Sequence, residues 1–388
     1  MNILYITSRA IEINASSSIR SIATIKGLIE LGNQVAVCSM RPDITGRYFD
    51  EDTAKLNIER IYFESNLDGA IRAAKRFNIF QTKLYRFLRG KRIYDGSRQI
   101  VKHVGEIDTS RYDVIISSSD PKTSHLFVES LIDKCGIAIP WIQIWGDPFA
   151  SDMTINGNKR YLRKIGKEEY RLLSKCDSII YVSEATLKSQ KENYPDFAEK
   201  MHYLPIPYLK SVTDKEQDDN TVEAKNSRKI KLAYCGDYLS KTRNIVPLYE
   251  AVKNSENYSL RVCGDSDVQL DSTDSIQLSG RVPYKEVCKI EEDADILVLI
   301  CNLFGTQIPG KIYQYSGTSK AILFILDGDK KSIKQQFMKY ARYEFCNNDA
   351  EDIKQKLREI CQNKKKYLPV KEFEPRTVAD QILASIKI

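Results

Sequence analysis

The sequence predicts two doubly wound α/β domains in tandem, and three observations carry that prediction. Short apolar, β-branched runs alternate with helix-like runs through residues 1–208. The alternation stops in a polar stretch at 209–228, and it resumes through residues 229–374. Strand, helix, strand in repetition means parallel pairing, because parallel neighbours need a crossover and a helix on the sheet face supplies it.

The elements follow in order. NILYIT (2–7), QVAVCS (34–39), DVIISS (113–118), PWIQIW (140–145) and SIIYVS (178–183) are short and apolar throughout, the pattern of strands buried on both faces. Between the first two lies SSIRSIATIKGLIELG (17–32), a helix pattern with serines before it and Gly32 as its stop. The stretch LKSVTDKEQDDNTVEAKNSR (209–228) has few apolar anchors and reads as a linker or surface excursion. The second series is IKLAYCG (230–236), YSLRVCG (258–264), SIQLSG (275–280), ADILVLIC (294–301) and KAILFIL (320–326), with helical runs such as NIVPLYEAVKNS (244–255) between. From residue 375 to 388, Val378, Ile382 and Ile386 mark one face of a closing helix. In open sheets of this type ligands bind outside the carboxyl ends of the strands, so the expected site is a cleft faced by both domains.

Composition narrows the class. The 388 residues are 42% apolar and 29% charged, values of a folded globular chain. No apolar run approaches the ~20 residues of a membrane span. The opening MNILYITSRA has no basic n-region or cleavage site and reads as a first strand. Nine scattered cysteines, with no CxxC and no Cys/His cluster, point to reduced thiols in a cytoplasmic protein and away from a zinc site.

Strands of the second half end repeatedly in glycine: Gly236, Gly264 and Gly280. Glycine there serves a turn or lets a ligand approach the backbone. Lys241 and Arg243 follow Gly236, and Pro309, Gly310 and Lys311 open the run IPGKIYQYSGTSKAIL (308–323). Proline suits a helix start. A lysine in the first turn opposes the helix dipole unless an anion stands nearby. Converging, Lys241, Arg243 and Lys311 would hold a diphosphate. Apart, they are solvated cations. The run TSRAIEINASSSIRS after the first strand has no glycine, which disfavours a dinucleotide site, and no GxxxxGK[ST] is present.

These residues carry a resemblance. The stretches ILYITSR, SSIRSIATIKGLIELGNQVAVCS, LAYCG, KTRNIVPLYEA, LRVCG, IQLSGRVPYKEV, ADILVLI and IPGKIYQYSGTSKAIL, in that order, resemble a GT-B glycosyltransferase, and among these the bacterial glycosyltransferase family 4 group. Most specific is 309–323, which matches that group's proline, x, lysine, hydrophobic, aromatic, glutamate, tyrosine pattern. The resemblance covers the chain apart from roughly 41–105 and the linker. It implies two Rossmann-like domains facing a cleft. It also implies a nucleotide diphosphate sugar, UDP-linked by expectation, bound mainly by the second domain. Lys311, Lys241 and Arg243 would stabilise the leaving diphosphate with no metal or other cofactor. Gly236, Gly264, Arg281, Val282, Pro309 and Gly310 would line the donor.

Two departures stand out. Gln314 replaces the glutamate expected at the ribose; it can donate as well as accept and has no charge. Gly146, followed by Asp147 and Pro148, stands where many relatives have a histidine, and none of His103, His125 and His202 matches it. Asp147 is the candidate base or sugar-positioning acid; its alternative is a turn aspartate. Asp120, in SSSDP after another strand, is the second acid. On the acceptor side, Ser16, Ser17 and Ser18 with Arg20 replace the glycine pair of the resembled group. Arg20 is alternatively a residue of the helix surface. The acidic pairs DSD (265–267) and DGD (327–329) read as turns, so no metal site is expected.

The charge is local. Between Arg72 and Lys102 stand ten basic residues and one acid, a net +9 in a chain of total +7, leaving −2 elsewhere. Arg76, Lys83, Arg86 and Arg89 interleave with Phe87 and other aromatics at helical spacing, the pattern of a helix on an anionic membrane surface. A solvated cover on the first domain uses the same residues. Nucleic acid as a partner is not expected, for want of a reader motif. The expectation is a hexosyltransferase for a glycan or polyprenyl-linked acceptor, cytoplasmic or peripheral on the inner membrane face, in bacterial surface polysaccharide synthesis. The alternatives are a sugar-nucleotide epimerase of the same fold, or a catalytically silent subunit supporting a partner transferase.

Overall fold

The computed structural model describes residues 1–46, 48–64, 93–151, 159–209, 228–304, 308–363 and 365–386. It divides into two compact units: Met1–Pro205 with Pro375–Ile388, and Ile206–Glu374. Arg76, Lys83, Arg86, Phe87 and Arg89 lie outside the described residues, as does most of the polar stretch at 209–228. No described helix is long and apolar enough to cross a membrane.

Among the described residues, unit 1 holds seven parallel strands: β1 (Asn2–Ile6), β2 (Gln34–Met40), β3 (Glu59–Phe63), β4 (Val114–Ser118), β5 (Trp141–Trp145), β6 (Ser178–Tyr181) and β7 (Met201–Tyr203). Their order is β3-β2-β1-β4-β5-β6-β7. Ile3 pairs with Val35 on one side and Val114 on the other, so β1 is central. Leu4, Ile6, Ile115, Trp141 and Trp145 are fully buried in one core. Crossover helices such as Ser16–Glu30 and Thr123–Cys135 cover the sheet. The sequence reading has no counterpart for β3 and β7, which stand at the two edges.

Unit 2 repeats the plan with β8 (Ile230–Cys235), β9 (Tyr258–Cys263), β10 (Ile276–Ser279), β11 (Ile296–Ile300), β12 (Ala321–Leu326) and β13 (Glu344–Asn347). The described order is β10-β9-β8-β11-β12-β13, again all parallel. Every residue of β11 and β12 is buried, as both-face burial requires. The architecture predicted from the alternation is therefore the one observed: two doubly wound α/β sheets. In each, the strand order reverses beside the first strand, between β1 and β4 and between β8 and β11. Crossovers leave such a point in opposite directions, which opens a crevice at the carboxyl ends.

The closing helix Pro375–Ala384 packs within unit 1 against Ser16–Glu30, burying Val378, Ala379 and Ile382. Gly27 makes this possible. A Cβ there would overlap the Pro375 carbonyl and stand 2.9 Å from the Ala379 Cβ. We expect Gly27→Ala to destabilise the chain by about 1–3 kcal/mol, the usual range for overpacking. Urea unfolding measures it; an unchanged midpoint would refute the contact.

Candidate functional site

At the β8/β11 reversal, Arg243 spans the two parting loops. Its Nε donates to Asn302 Oδ1 at 3.0 Å, beyond β11, and its Nη1 donates to the Asp237 carbonyl at 3.0 Å, beyond β8. Leu303 N donates to the Thr242 carbonyl at 2.8 Å and ties the same loops. Among the described residues Nη2 has no such partner. The guanidinium lies over Gly236, where a Cβ would stand 3.7 Å from Nη1. Lys241 is exposed on the same loop. Gly264 presses against the Gly236 carbonyl so closely that no Cβ fits between them. The glycine after β9 thus serves backbone on backbone. Arg281, beyond β10, pairs with the Asp237 carboxylate and stands 3.5 Å from Asp265, with Val282 following. Gly280 has open space around it.

Lys311 needs a correction. The sequence reading leaves it awaiting a ligand anion, but unit 2 supplies one: its Nζ pairs with Glu291, from the helix Tyr284–Asp293. Tyr315 donates its hydroxyl to the same carboxylate at 3.1 Å. Burial pushes the Lys311 ammonium down, yet Glu291 outweighs it and the net shift is upward. Pro309, buried, and Gly310 precede the helix Lys311–Ser316. Gln314 is also turned elsewhere than expected. Its Oε1 accepts from Leu209 N at 2.8 Å and its Nε2 donates to the Pro207 carbonyl at 3.1 Å, bracing the chain as it enters unit 2.

In unit 1 the β1/β4 reversal is laced by hydroxyls. Ser8 N donates to Ser124 Oγ at 2.9 Å, and the Ser8 and Thr123 hydroxyls meet at 3.0 Å. Asp120 pairs with Lys122. Gly146 N donates to Ser119 Oγ at 3.1 Å, which joins the loops after β4 and β5. Asp147, half-buried, follows Gly146. Its loop is pinned by a residue the sequence reading missed: buried Glu169 accepts from Phe149 N at 2.8 Å, Ala150 N at 2.9 Å and the Tyr194 hydroxyl at 2.9 Å. Burial still pushes its carboxyl up, against those three donors. Nothing local in EEYRLL distinguishes Glu169 from its half-buried neighbour Glu168, so no sequence signal marks it.

Arg20, read as an acceptor-side residue, is buried, which removes its alternative place on the helix surface. Of the three serines before it, Ser16 is exposed and Ser18 buried, with Ser18 Oγ 3.5 Å from the Ala10 carbonyl. His125 is fully buried against Trp145, with ring centroids 4.3 Å apart, and its Nδ1 lies 2.8 Å from Ser117 Oγ. The acidic pairs are engaged as turns and caps: Asp267 accepts from Ser240 N at 2.6 Å, Asp329 caps Lys330–Met338, and Asp327 accepts from Asn348 at 2.8 Å. Among the described residues no group of three or more potential ligands could hold a metal. All nine cysteines are free thiols.

No protein-family model matches the chain, and no curated protein matches it. Solved structures match in fold. The α,α-trehalose 6-phosphate synthase of Burkholderia multivorans aligns with a TM-score of 0.53 at 12% identity, over 99% of this chain and 94% of that one. The E. coli trehalose-6-phosphate structure bound with UDP-2-fluoro glucose gives 0.55 at 11% identity, over 99% and 96%. The UDP-GlcNAc 2-epimerase of Methanocaldococcus jannaschii, in complex with UDP-GlcNAc and UDP, gives 0.51 at 11% identity, over 99% and 98%. At such identities the likeness shows the fold, and the fold is GT-B.

One pH dependence follows from His125. Burial, then the charges of Lys122 and Arg20, hold its imidazole well below the ordinary value. The folded state therefore excludes a proton that the unfolded chain accepts. The stability contributed is full above about pH 6.5 and falls as pH drops from there toward the depressed folded value. We expect a slope approaching about 1.4 kcal/mol per pH unit in that window, reduced in His125→Asn, read from urea unfolding at pH 5–7. Equal slopes would refute it.

Proposed function

We propose that the chain is a metal-independent glycosyltransferase that takes a hexose or N-acetylhexosamine from a nucleotide diphosphate sugar, UDP-linked in the first instance. The observation that carries this reading is Arg243, held by Asn302 and the Asp237 carbonyl across the β8/β11 reversal. A doubly wound sheet binds its ligand there. A cation fixed in advance at that point needs no reorganisation when a leaving diphosphate gains charge. Lys241 adds a second cation on the same loop. Lys311, of the same unit, has its charge shared with Glu291. Gly236 leaves room under the phosphates, and the loops at Gly264 and Arg281–Val282 take the nucleobase end. In unit 1, Asp147 acts as base or sugar-positioning acid on a loop set by Glu169. The family 4 resemblance of 309–323 supports the same assignment, and it points to a glycan or polyprenyl-linked acceptor of bacterial surface polysaccharide. The basic segment around Arg76–Arg89 would bring the enzyme to an anionic membrane.

A sugar-nucleotide 2-epimerase is the second reading, favoured by the fold likeness to UDP-GlcNAc 2-epimerase. It needs no separate acceptor, and this separates the two.

A thermal-shift screen of UDP, GDP, ADP, CMP and their sugars, with EDTA present, is the test. We expect one nucleoside diphosphate to stabilise the protein and Arg243→Ala to remove most of the shift. Turnover should fall roughly 10²–10³-fold, as for loss of one preorganised transition-state donor. A wild type that none of these ligands stabilises overturns the reading and favours a silent subunit. Conversion of the donor without acceptor selects the epimerase.

A further inference from the structure

Arg20 is a buried cation whose hydrogen-bonding capacity is unused. It is 6% exposed, and among the described residues its Nε and Nη2 find no acceptor. A guanidinium carries five N–H donors and keeps its proton, so it cannot escape burial by neutralising. Three acids of unit 1 have partners other than Arg20. Asp120 pairs with Lys122, Glu12 takes Arg60 and the Tyr62 hydroxyl, and Glu169 takes Phe149 N, Ala150 N and Tyr194.

The guanidinium packs directly against residue 146, where only glycine fits. A Cβ at Gly146 would stand 2.6 Å from Nη1, 3.2 Å from Nη2 and 3.3 Å from Cζ. Gly146 itself is partly exposed, so the cation lies just beneath the surface at the carboxyl end of β5. The surroundings favour negative charge. The helix Ser16–Glu30 has no side-chain cap at Ala15 and no acid in its first turn. Burial first, then the charges of Lys122 and Arg20, push the His125 imidazole pKa down.

We propose that Arg20, packed beneath Gly146, is an anion subsite of unit 1 that takes a carboxylate or phosphate group of the sugar acceptor. The word acceptor rests on the transferase reading; the anion site does not. Arg20 reads a planar or tetrahedral oxyanion through paired N–H donors. Neutral glycans lacking such a group leave it unmatched and bind more weakly.

The test is calorimetric titration of the full chain at low ionic strength with inorganic phosphate, D-glucuronate and neutral glucose. It is done in an Arg243→Ala background to silence phosphate binding in unit 2. We expect saturable binding of one anion and none of glucose. Phosphate winning assigns a phosphorylated acceptor, and glucuronate winning a uronate. Arg20→Met should weaken that binding roughly tenfold or more, the usual consequence of losing a charged donor. Gly146→Ala should weaken it as much with Arg20 still present, which guards against a folding failure in the first variant. No binding of either anion, or binding undiminished in both variants, overturns the proposal. UDP is titrated against Arg20→Met in parallel with Arg243 intact. UDP binding kept while the anion is lost supports the subsite, and UDP binding absent in wild type strikes the transferase reading alone.

Discussion

Two parallel sheets, each buried on both faces, leave functional side chains only one place to gather: the carboxyl edge where crossovers part. Everything above depends on how those parted loops are held. In unit 2 a guanidinium holds them, with Nε on the β11 side and Nη1 on the β8 side, beside one backbone bond from Leu303 N to the Thr242 carbonyl. In unit 1 hydroxyls do it, Ser8 with Ser124 and Thr123. The difference is chemical. Hydroxyls close a gap neutrally, while Arg243 closes it and leaves a charge in it.

Cations buried or half-buried in this chain have different fates. Lys311 has Glu291 and, through it, Tyr315. Arg342 is 2% exposed, yet its Nη2 donates to the Thr318 carbonyl at 2.8 Å and the Lys320 carbonyl at 2.6 Å, and the Tyr367 ring lies 5.1 Å from its Cζ. Burial lowers the Arg342 pKa to about 10. Both are structural cations by that measure. Arg20 has neither carboxylate nor carbonyl acceptor for Nε or Nη2 among the described residues. A cation built into a core without acceptors is the one most in need of a ligand, since burial of charge is stabilised only by pairing.

The central strands were legible in the sequence because both-face burial writes itself as a continuous apolar run; ILVLI and AILFIL can hardly be anything else at that length. Of the four edge strands, β10 was legible as SIQLSG and the other three were not. ERIYF in β3, MHY in β7 and EFCN in β13 each face solvent along one side, so charged and polar residues interrupt them and the period fades. Site residues divide in the same way. Arg243 follows Gly236 closely in sequence, and local spacing reveals it. Glu291 lies twenty residues before Lys311, and Glu169 about as far beyond Asp147. Only the crossovers bring them together, and no spacing rule announces that. Arg20 fails for another reason: serine, isoleucine and arginine alternate in SSSIRS, so the helix face it takes is ambiguous until Gly146 opens a space for it.

The pairing of Lys311 also bears on how charge would be shared in the proposed reaction. A departing diphosphate needs positive charge that is not already matched. Lys311 is matched by Glu291, so bringing an anion to it means competing with a carboxylate already in place. Arg243 faces no such competitor, because its two partners are a carbonyl and a carboxamide oxygen, both neutral. Lys241 is exposed and screened by solvent. In the proposed reaction the burden of transition-state stabilisation would therefore fall on Arg243, with Asn302 as the residue that aims it. Lys311 would be left to set the local potential, while its pair with Glu291 ties the helix Tyr284–Asp293 to Lys311–Ser316. On that proposal the lysine that first draws the eye in the sequence would be the buttress, and the arginine over Gly236 the charge that meets the leaving group.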